Sequence, residues 1–152
     1  MATALVTGAT SGIGLEFAHQ LAQKGYDLIL VSRNLNRLNE TAQDLTNKYK
    51  VKAEVLKADL GTDEGIKLTR DVIEKEDIEF VVNNAGLGIN KPFHATDLAE
   101  EVNLLNVLVK APLEICHSAI NQMKKKNKGF ISMLGQLLPG PQVVLILRQK
   151  FG

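Results

Sequence analysis

Cysteine is almost absent: Cys116 is the only one in 152 residues, so no intrachain disulfide can form. It sits among Leu113, Ile115 and Ile120 and reads as a core residue, with a reactive thiol as the alternative. Tryptophan is missing, and the two tyrosines, Tyr26 and Tyr49, both fall in the first third of the chain. No apolar run approaches the roughly 20 residues needed to span a bilayer. Charge of one sign is lacking too. Eighteen Lys and Arg against seventeen Asp and Glu leave +1, which gives no field to draw nucleic acid or a membrane surface. The single basic run, Lys124 to Lys126 with Lys128, falls where a helix should end, and the helix dipole favours cations there. His19, His94 and His117 show neither metal-ligand spacing nor partner acids, so no metal site is expected. Met1-Ala2-Thr3 leads straight into an apolar strand with no basic segment before it, so no signal peptide and a cytoplasmic location are expected.

What the chain does have is glycine in a pattern. Ala4-Leu5-Val6 is followed by Thr7-Gly8-Ala9-Thr10-Ser11-Gly12-Ile13-Gly14, and an amphipathic segment then runs to Lys24. That order is strand, tight turn, helix. A helix N-terminus presents unpaired amides and the positive end of a dipole, and glycines let the backbone approach a phosphate without a Cβ in the way. Thr10 and Ser11 are placed to cap the helix or bond a phosphate. The spacing Gly-x-x-x-Gly-x-Gly differs from the usual Gly-x-Gly-x-x-Gly fingerprint and predicts a wider first loop. A plain strand-to-helix turn is the alternative.

Strands and helices alternate along the rest of the chain. Apolar strands are predicted over Ala4 to Thr7, Leu28 to Val31, Val51 to Leu56, Phe80 to Val82 and from Phe130. Helices are predicted from Gly12 to Lys24, ended by Gly25, from Leu38 to Tyr49 after an Asn34 or Asn36 cap, and from a Thr62 cap to Lys75. Two further helical stretches cover Asp97 to Lys110 and Ala111 to Lys126. The alternation predicts an α/β fold: a doubly wound parallel sheet of Rossmann type with helices on both faces, three layers in all. Residues 1–152 are expected to form one domain. Ligands bind such sheets beyond the strand C-terminal ends. Every unusual segment of this chain lies there.

After strand two, where a carboxylate would hold the ribose of NAD, the chain has Ser32-Arg33-Asn34. Arg33 offers a planar fork for a 2′-phosphate, so NADP is favoured over NAD. The alternative is an Arg that merely sits on a surface loop. After strand three, Asp59 can accept a bond from an adenine amino group while Leu60 packs on the ring; a turn-starting Asp is the alternative.

These pieces together resemble the classical short-chain dehydrogenases/reductases. The matching residues are Thr7-Gly8-x-x-x-Gly12-x-Gly14, Asp59-Leu60, Asn83-Asn84-Ala85-Gly86 and Leu105-Asn106-Val107, over roughly residues 3 to 131. The resemblance implies a glycine loop that holds the pyrophosphate, through Gly8, Thr10, Ser11, Gly12, Ile13 and Gly14. It further implies Asn84, Ala85 and Gly86 along the adenosine side, and Asn106 in a proton relay through water. It implies hydride transfer between NADPH and a carbonyl or alcohol substrate, with a Tyr as general acid/base, a Lys four residues later and a Ser upstream. A homo-oligomer through residues 97–126 is implied as well.

The resemblance fails near the end of the chain. Anchored on Pro139-x-Pro141, the family's Tyr falls on Ile146 and its Lys on Lys150. The Ser falls near Met133, with Ser132 one position early. Isoleucine has no ionisable group, so it can move no proton. Residues 1–131 are thus expected to be family-like and 132–152 a divergent tail, with the C-terminal half of the fold missing. Strand five is expected as an exposed edge beside the uncharged run Val143 to Leu147; a replacement strand or helix is the alternative. The expected function is an NADP-dependent oxidoreductase with impaired chemistry. The alternatives are a dinucleotide-binding or interaction module, or a fragment whose sequence after Ile131 comes from another reading frame.

Overall fold

The computed structural model describes residues 1–135 and 143–147. Its strands are β1 (Thr3–Thr7), β2 (Asp27–Ser32), β3 (Ala53–Lys57), β4 (Ile78–Asn83), β5 (Phe130–Gly135) and β6 (Val143–Leu147). Its α-helices are α1 (Gly12–Gln23), α2 (Leu35–Tyr49), α3 (Asp63–Lys75), α4 (Leu98–Leu105) and α5 (Ala111–Lys126). The sheet order is β3-β2-β1-β4-β5-β6, with β1 to β5 parallel. The chain winds outward from β1 in one direction and then resumes on its other side. The gap between the tips of β1 and β4 is therefore the switch point at which such sheets bind ligands.

Each face of the sheet carries its own core. Leu5, Ile29, Val31, Val81 and Ile131 meet Ile66 and Ile73 of α3 and Ile115 and Ala119 of α5. On the opposite face, Val6, Leu28, Leu30 and Val82 meet Ala18 and Leu21 of α1 and Leu38 and Leu45 of α2. Neighbouring strand residues alternate between these two cores, which is why the strands read as unbroken apolar runs.

The caps hold the helices to their predicted ends. The Asn34 side chain accepts a bond from the Arg37 amide, and that of Thr62 from the Gly65 amide, at 3.1 Å each. Gly25, at φ +85°, closes α1 in the left-handed region that glycine tolerates. The α4 and α5 stretches form one continuous helical run, joined by a π-helical turn over Asn106–Lys110.

Two sequence expectations change at the far edge. The sheet is not wholly parallel, because β6 pairs antiparallel with β5 (Ile131 opposite Leu147, Gly135 opposite Val143). Strand five is accordingly not an edge. The uncharged run Val143–Leu147 is a short strand, the form that satisfies its backbone groups against β5. The opposite edge, β3, carries Glu54 and Lys57, and Glu54 is paired with Lys52 at 2.6 Å. Charges on an edge strand deter pairing with another chain.

Candidate functional site

The glycine loop leaves the tip of β1 at the switch point. Gly8 (φ +64°) and Gly12 (φ +55°) both adopt left-handed backbone. A Cβ on Gly14 would lie 2.2 Å from the Gly8 carbonyl oxygen and 2.3 Å from Asn84 Nδ2. Only hydrogen fits there, so α1 starts hard against the loop and β4. Gly12 has open space around it and is needed for its dihedral alone.

Ser11 occupies the N-cap position in extended backbone, yet its side chain caps nothing. The first-turn amides of Gly12, Ile13 and Gly14 have no intrahelical acceptor by geometry. They stay available, with the dipole behind them, for an anion. The Thr10 hydroxyl instead meets the Ser32 hydroxyl at 3.3 Å, and the Gly8 amide donates to the Val31 carbonyl at 2.9 Å. Both bonds tie the loop to the tip of β2.

A fully buried hydroxyl joins the other side of the switch point. Thr7 Oγ1 accepts the amides of Asn84 and Ala85, at 3.0 Å each, and donates to the Val82 carbonyl at 3.3 Å. The Asn84 side-chain amide donates to the carbonyls of Thr7 and Gly8 at 3.3 and 3.2 Å. The Asn-Asn-Ala-Gly loop is thus fastened to the glycine loop. Thr7 was legible as part of a motif, but its role as a three-way connector was not.

Two cavities open on this junction. The larger, about 890 Å³, runs toward α2 and the β3 tip, where Arg33, Asn34, Arg37, Asp59 and Leu60 line it beside Gly8, Thr10 and Ser11. Arg33 and Arg37 are exposed there, and no carboxylate pairs with either among the described residues. The Asn34 side-chain oxygen is taken by its cap bond. One oxygen of Asp59 accepts the Gly61 amide at 2.9 Å, which orients the carboxylate, and Leu60 is buried next to it. Arg37 went unremarked in the sequence, although it stands four residues beyond Arg33.

The smaller cavity, about 290 Å³, lies on the other side of the glycine loop. Ile13, Asn84, Gly86, Gly88, Leu108 and Leu134 line it together with Gly8, Ser11, Ala85 and Leu87. Nothing in the sequence marked Leu108 or Leu134 for this place.

The residues named for chemistry sit differently. The Asn106 side chain donates to the Gly61 carbonyl at 2.9 Å, and it is Val107 that lines the larger cavity. Lys150 and the residues from Gln136 to Gln142 lie outside the described residues. Ile146 is in β6, opposite Ser132. Ser132 is an interior strand residue whose fully buried hydroxyl has no partner among the described residues. Neither tyrosine lines either of these two cavities. Tyr49 meets His19 at 3.2 Å on the α1–α2 face. Tyr26 packs edge-on against Phe80, and burial, with Glu79 nearby, raises its phenol above the usual range. Behind β4, Asn83 donates to Cys116 Sγ at 3.1 Å. Burial raises that thiol, so Cys116 is a packed residue rather than a poised nucleophile. Among the described residues no cluster of side chains could hold a metal ion, and no helix is long and apolar enough to cross a membrane.

Comparison with known proteins agrees with this geometry. The short chain dehydrogenase family matches residues 2–135. The chain is 32% identical over 153 aligned positions to the human inactive hydroxysteroid dehydrogenase-like protein 1, covering 97% of this chain and 46% of that protein. It is 35% identical to the very-long-chain 3-oxoacyl-CoA reductase of Scheffersomyces stipitis, covering 91% and 44%. The chain therefore spans about half the length of the curated relatives it matches. Among solved structures, it superposes on the bulky-bulky ketone specific alcohol dehydrogenase of Comamonas testosteroni with a TM-score of 0.86 and 28% identity, covering 90% of this chain and 55% of that one. A short-chain dehydrogenase of Sphingobium yanoikuyae in complex with NADPH gives a TM-score of 0.86 and 28% identity, covering 90% and 54%. The glycine cradle, the strand order and these likenesses lead to one conclusion: the chain belongs to the short-chain dehydrogenase family.

Proposed function

We propose that this chain is a single-domain binder of NADP(H) whose own residues do not support efficient hydride transfer. The observation that carries the binding reading is the cradle: three glycines, uncapped helix amides, and room that a Cβ at Gly14 would remove. In this reading the amides of Gly12, Ile13 and Gly14, with Thr10 and Ser11, hold the pyrophosphate. Asp59 and Leu60 hold the adenine, Asn84, Ala85 and Gly86 line the path, and Arg33 takes the 2′-phosphate with Asn34 beside it. A nicotinamide dinucleotide supplies a hydride donor or acceptor when bound. The chain's own part in turnover would be to exchange a proton with the substrate oxygen at the far end of the cleft. No acid, base or phenol is among the walls there, the family's tyrosine position falls on Ile146, and both tyrosines lie elsewhere. Asn106 is left as a positioning residue that fixes the β3–α3 loop, and Lys150 lacks its phenol partner in the sequence. The human relative bearing the word inactive in its name supports the same direction.

The ancestral reaction is the interconversion of a small carbonyl compound and its alcohol, and the cytoplasm is the expected compartment. A homo-oligomer through α4 and α5 is supported by Leu98, Val102, Leu105, Val109 and Leu113, all exposed large apolar residues on that run. NADPH titration followed by turnover assays on small ketones tests the reading. Saturable binding with turnover at or near background is expected. Family-like turnover by the purified chain would overturn the loss of chemistry, and no binding of NADPH would overturn the cradle.

A further inference from the structure

We propose that Asn106, acting through Gly61, aims the Asp59 carboxylate, so that a residue of the long helical run governs the preference of the cleft for adenine over other bases. This rests on the dinucleotide-binding reading above and concerns how its adenine end is held in shape.

Asp59 is exposed just beyond the tip of β3, at the wall of the larger cavity. Its main chain is clamped. The Thr62 amide and hydroxyl both donate to the Asp59 carbonyl, at 3.1 and 2.8 Å, and a Cβ on Gly65 would lie 2.0 Å from that same oxygen. Its side chain depends on one bond, from the Gly61 amide to Oδ1 at 2.9 Å. The second carboxylate oxygen has no partner among the described residues and is left to accept from a base.

Gly61 is in turn held from outside its loop. It is buried, and its carbonyl accepts from Asn106 Nδ2 at 2.9 Å. The amide and the carbonyl of Gly61 belong to different peptide planes, and without a Cβ those planes turn easily about its Cα. A stiffer residue cannot stand there, because a Cβ would lie 1.8 Å from Asn103 Oδ1. Asn103 and Asn106, three residues apart on one helix face, supply the restraint instead. The bond from Asn106 fixes one plane and the bond to Asp59 fixes the other. Loss of the Asn106 donor leaves a buried carbonyl unpaired, and the loop gains by turning it toward water. The Gly61 amide then shifts as well, and Asp59 loses its aim. The sequence neighbours of the bonded pair, Leu60 and Val107, both line the larger cavity, so the same bond spaces two apolar walls that any purine would touch. Base identity, rather than overall affinity, isolates the carboxylate.

The test is equilibrium titration of the whole chain with NADPH and with its hypoxanthine analogue, whose base carries an oxygen in place of the exocyclic amino group. NADPH is expected to bind about tenfold more tightly than the analogue. Asp59→Ala is expected to abolish that ratio. Asn106→Ala is expected to cut it to about twofold, and the double variant to match Asp59→Ala alone, since both residues act along one path. A merely structural Asn106 would weaken both ligands alike and leave the ratio at its starting value. That result would overturn the proposal, as would equal affinities in the unaltered chain; either leaves the dinucleotide reading standing. The unaltered chain gives a second measurement that needs no variant to fold. By NMR, the Asn106 side-chain amide resonance is expected to move further with NADPH than with the analogue, and identical shifts would overturn the link. Failure of both ligands to bind would overturn the dinucleotide reading and the proposal with it.

Discussion

At its α2 end the cleft is walled by Arg33, Asn34, Arg37 and Asp59; on the other side of the glycine loop it is walled by Ser11, Ile13, Asn84, Leu87, Leu108 and Leu134. One end carries ionised side chains and the other carries none, although both open from the same glycine loop. The difference separates two tasks that a dehydrogenase site ordinarily combines. Recognition of a phosphorylated nucleoside needs fixed charges and amides, and those are built from β1, β2, β3 and the first turns of α1 and α2. Moving a proton needs a titratable group at the far end, and the described walls there hold none.

The comparison breaks most readily at the loop both ends share. Gly14→Val is expected to cost about 3 kcal/mol or more of stability and to abolish NADPH binding, because a Cβ there meets the Gly8 carbonyl oxygen at 2.2 Å. Gly88→Ala, at the smaller cavity with nothing within 4 Å of the added Cβ, should leave both nearly unchanged. Denaturant melts and NADPH titrations of the pair read the contrast. Removing both Arg33 and Arg37 as alanines should weaken NADPH by about tenfold per arginine and leave NADH almost untouched, since charge-assisted bonds to the extra phosphate are what is lost. Equal losses for the two ligands would mean that the arginines do not read that phosphate. Thr7→Val keeps shape but strips the connector, leaving the amides of Asn84 and Ala85 without their acceptor. A loss of about 2 kcal/mol in denaturant unfolding is expected.

The smallest effect concerns a buried serine hydroxyl. Ser132→Ala removes a fully buried group with no partner among the described residues and should leave stability unchanged or raise it by up to about 1 kcal/mol. A clear loss would show that the hydroxyl is bonded in solution.

The glycine loop and the elements around it were largely readable from the chain because their information is local. Gly8, Gly12 and Gly14 are forced by dihedral angle or close approach, Asn34 and Thr62 by cap geometry, and the strands by unbroken apolar runs. The uncharged end was not readable, because Leu108 and Leu134 come from elements far apart in sequence and line one cavity only once the sheet is assembled. Thr7 fell between these cases: its neighbours announce a turn, but its partners at the end of β4 and in the loop after it lie more than seventy residues away. The antiparallel sixth strand also escaped, since a short uncharged β-branched run specifies extended backbone without specifying direction.

The π-helical turn at Asn106–Lys110 has a consequence for the outer surface of the long helical run. An α-helix advances about 100° per residue, so fifteen residues of it would leave Leu113 rotated about 60° away from Leu98. The wider turn closes its bond five residues back, from the Ala111 amide to the Asn106 carbonyl, and sweeps less angle per residue. It winds back part of that rotation and keeps Leu98, Val102, Leu105, Val109 and Leu113 nearer to a straight seam than a regular helix could. Replacing this turn by ordinary α-helix would skew the seam without altering a single side chain on it.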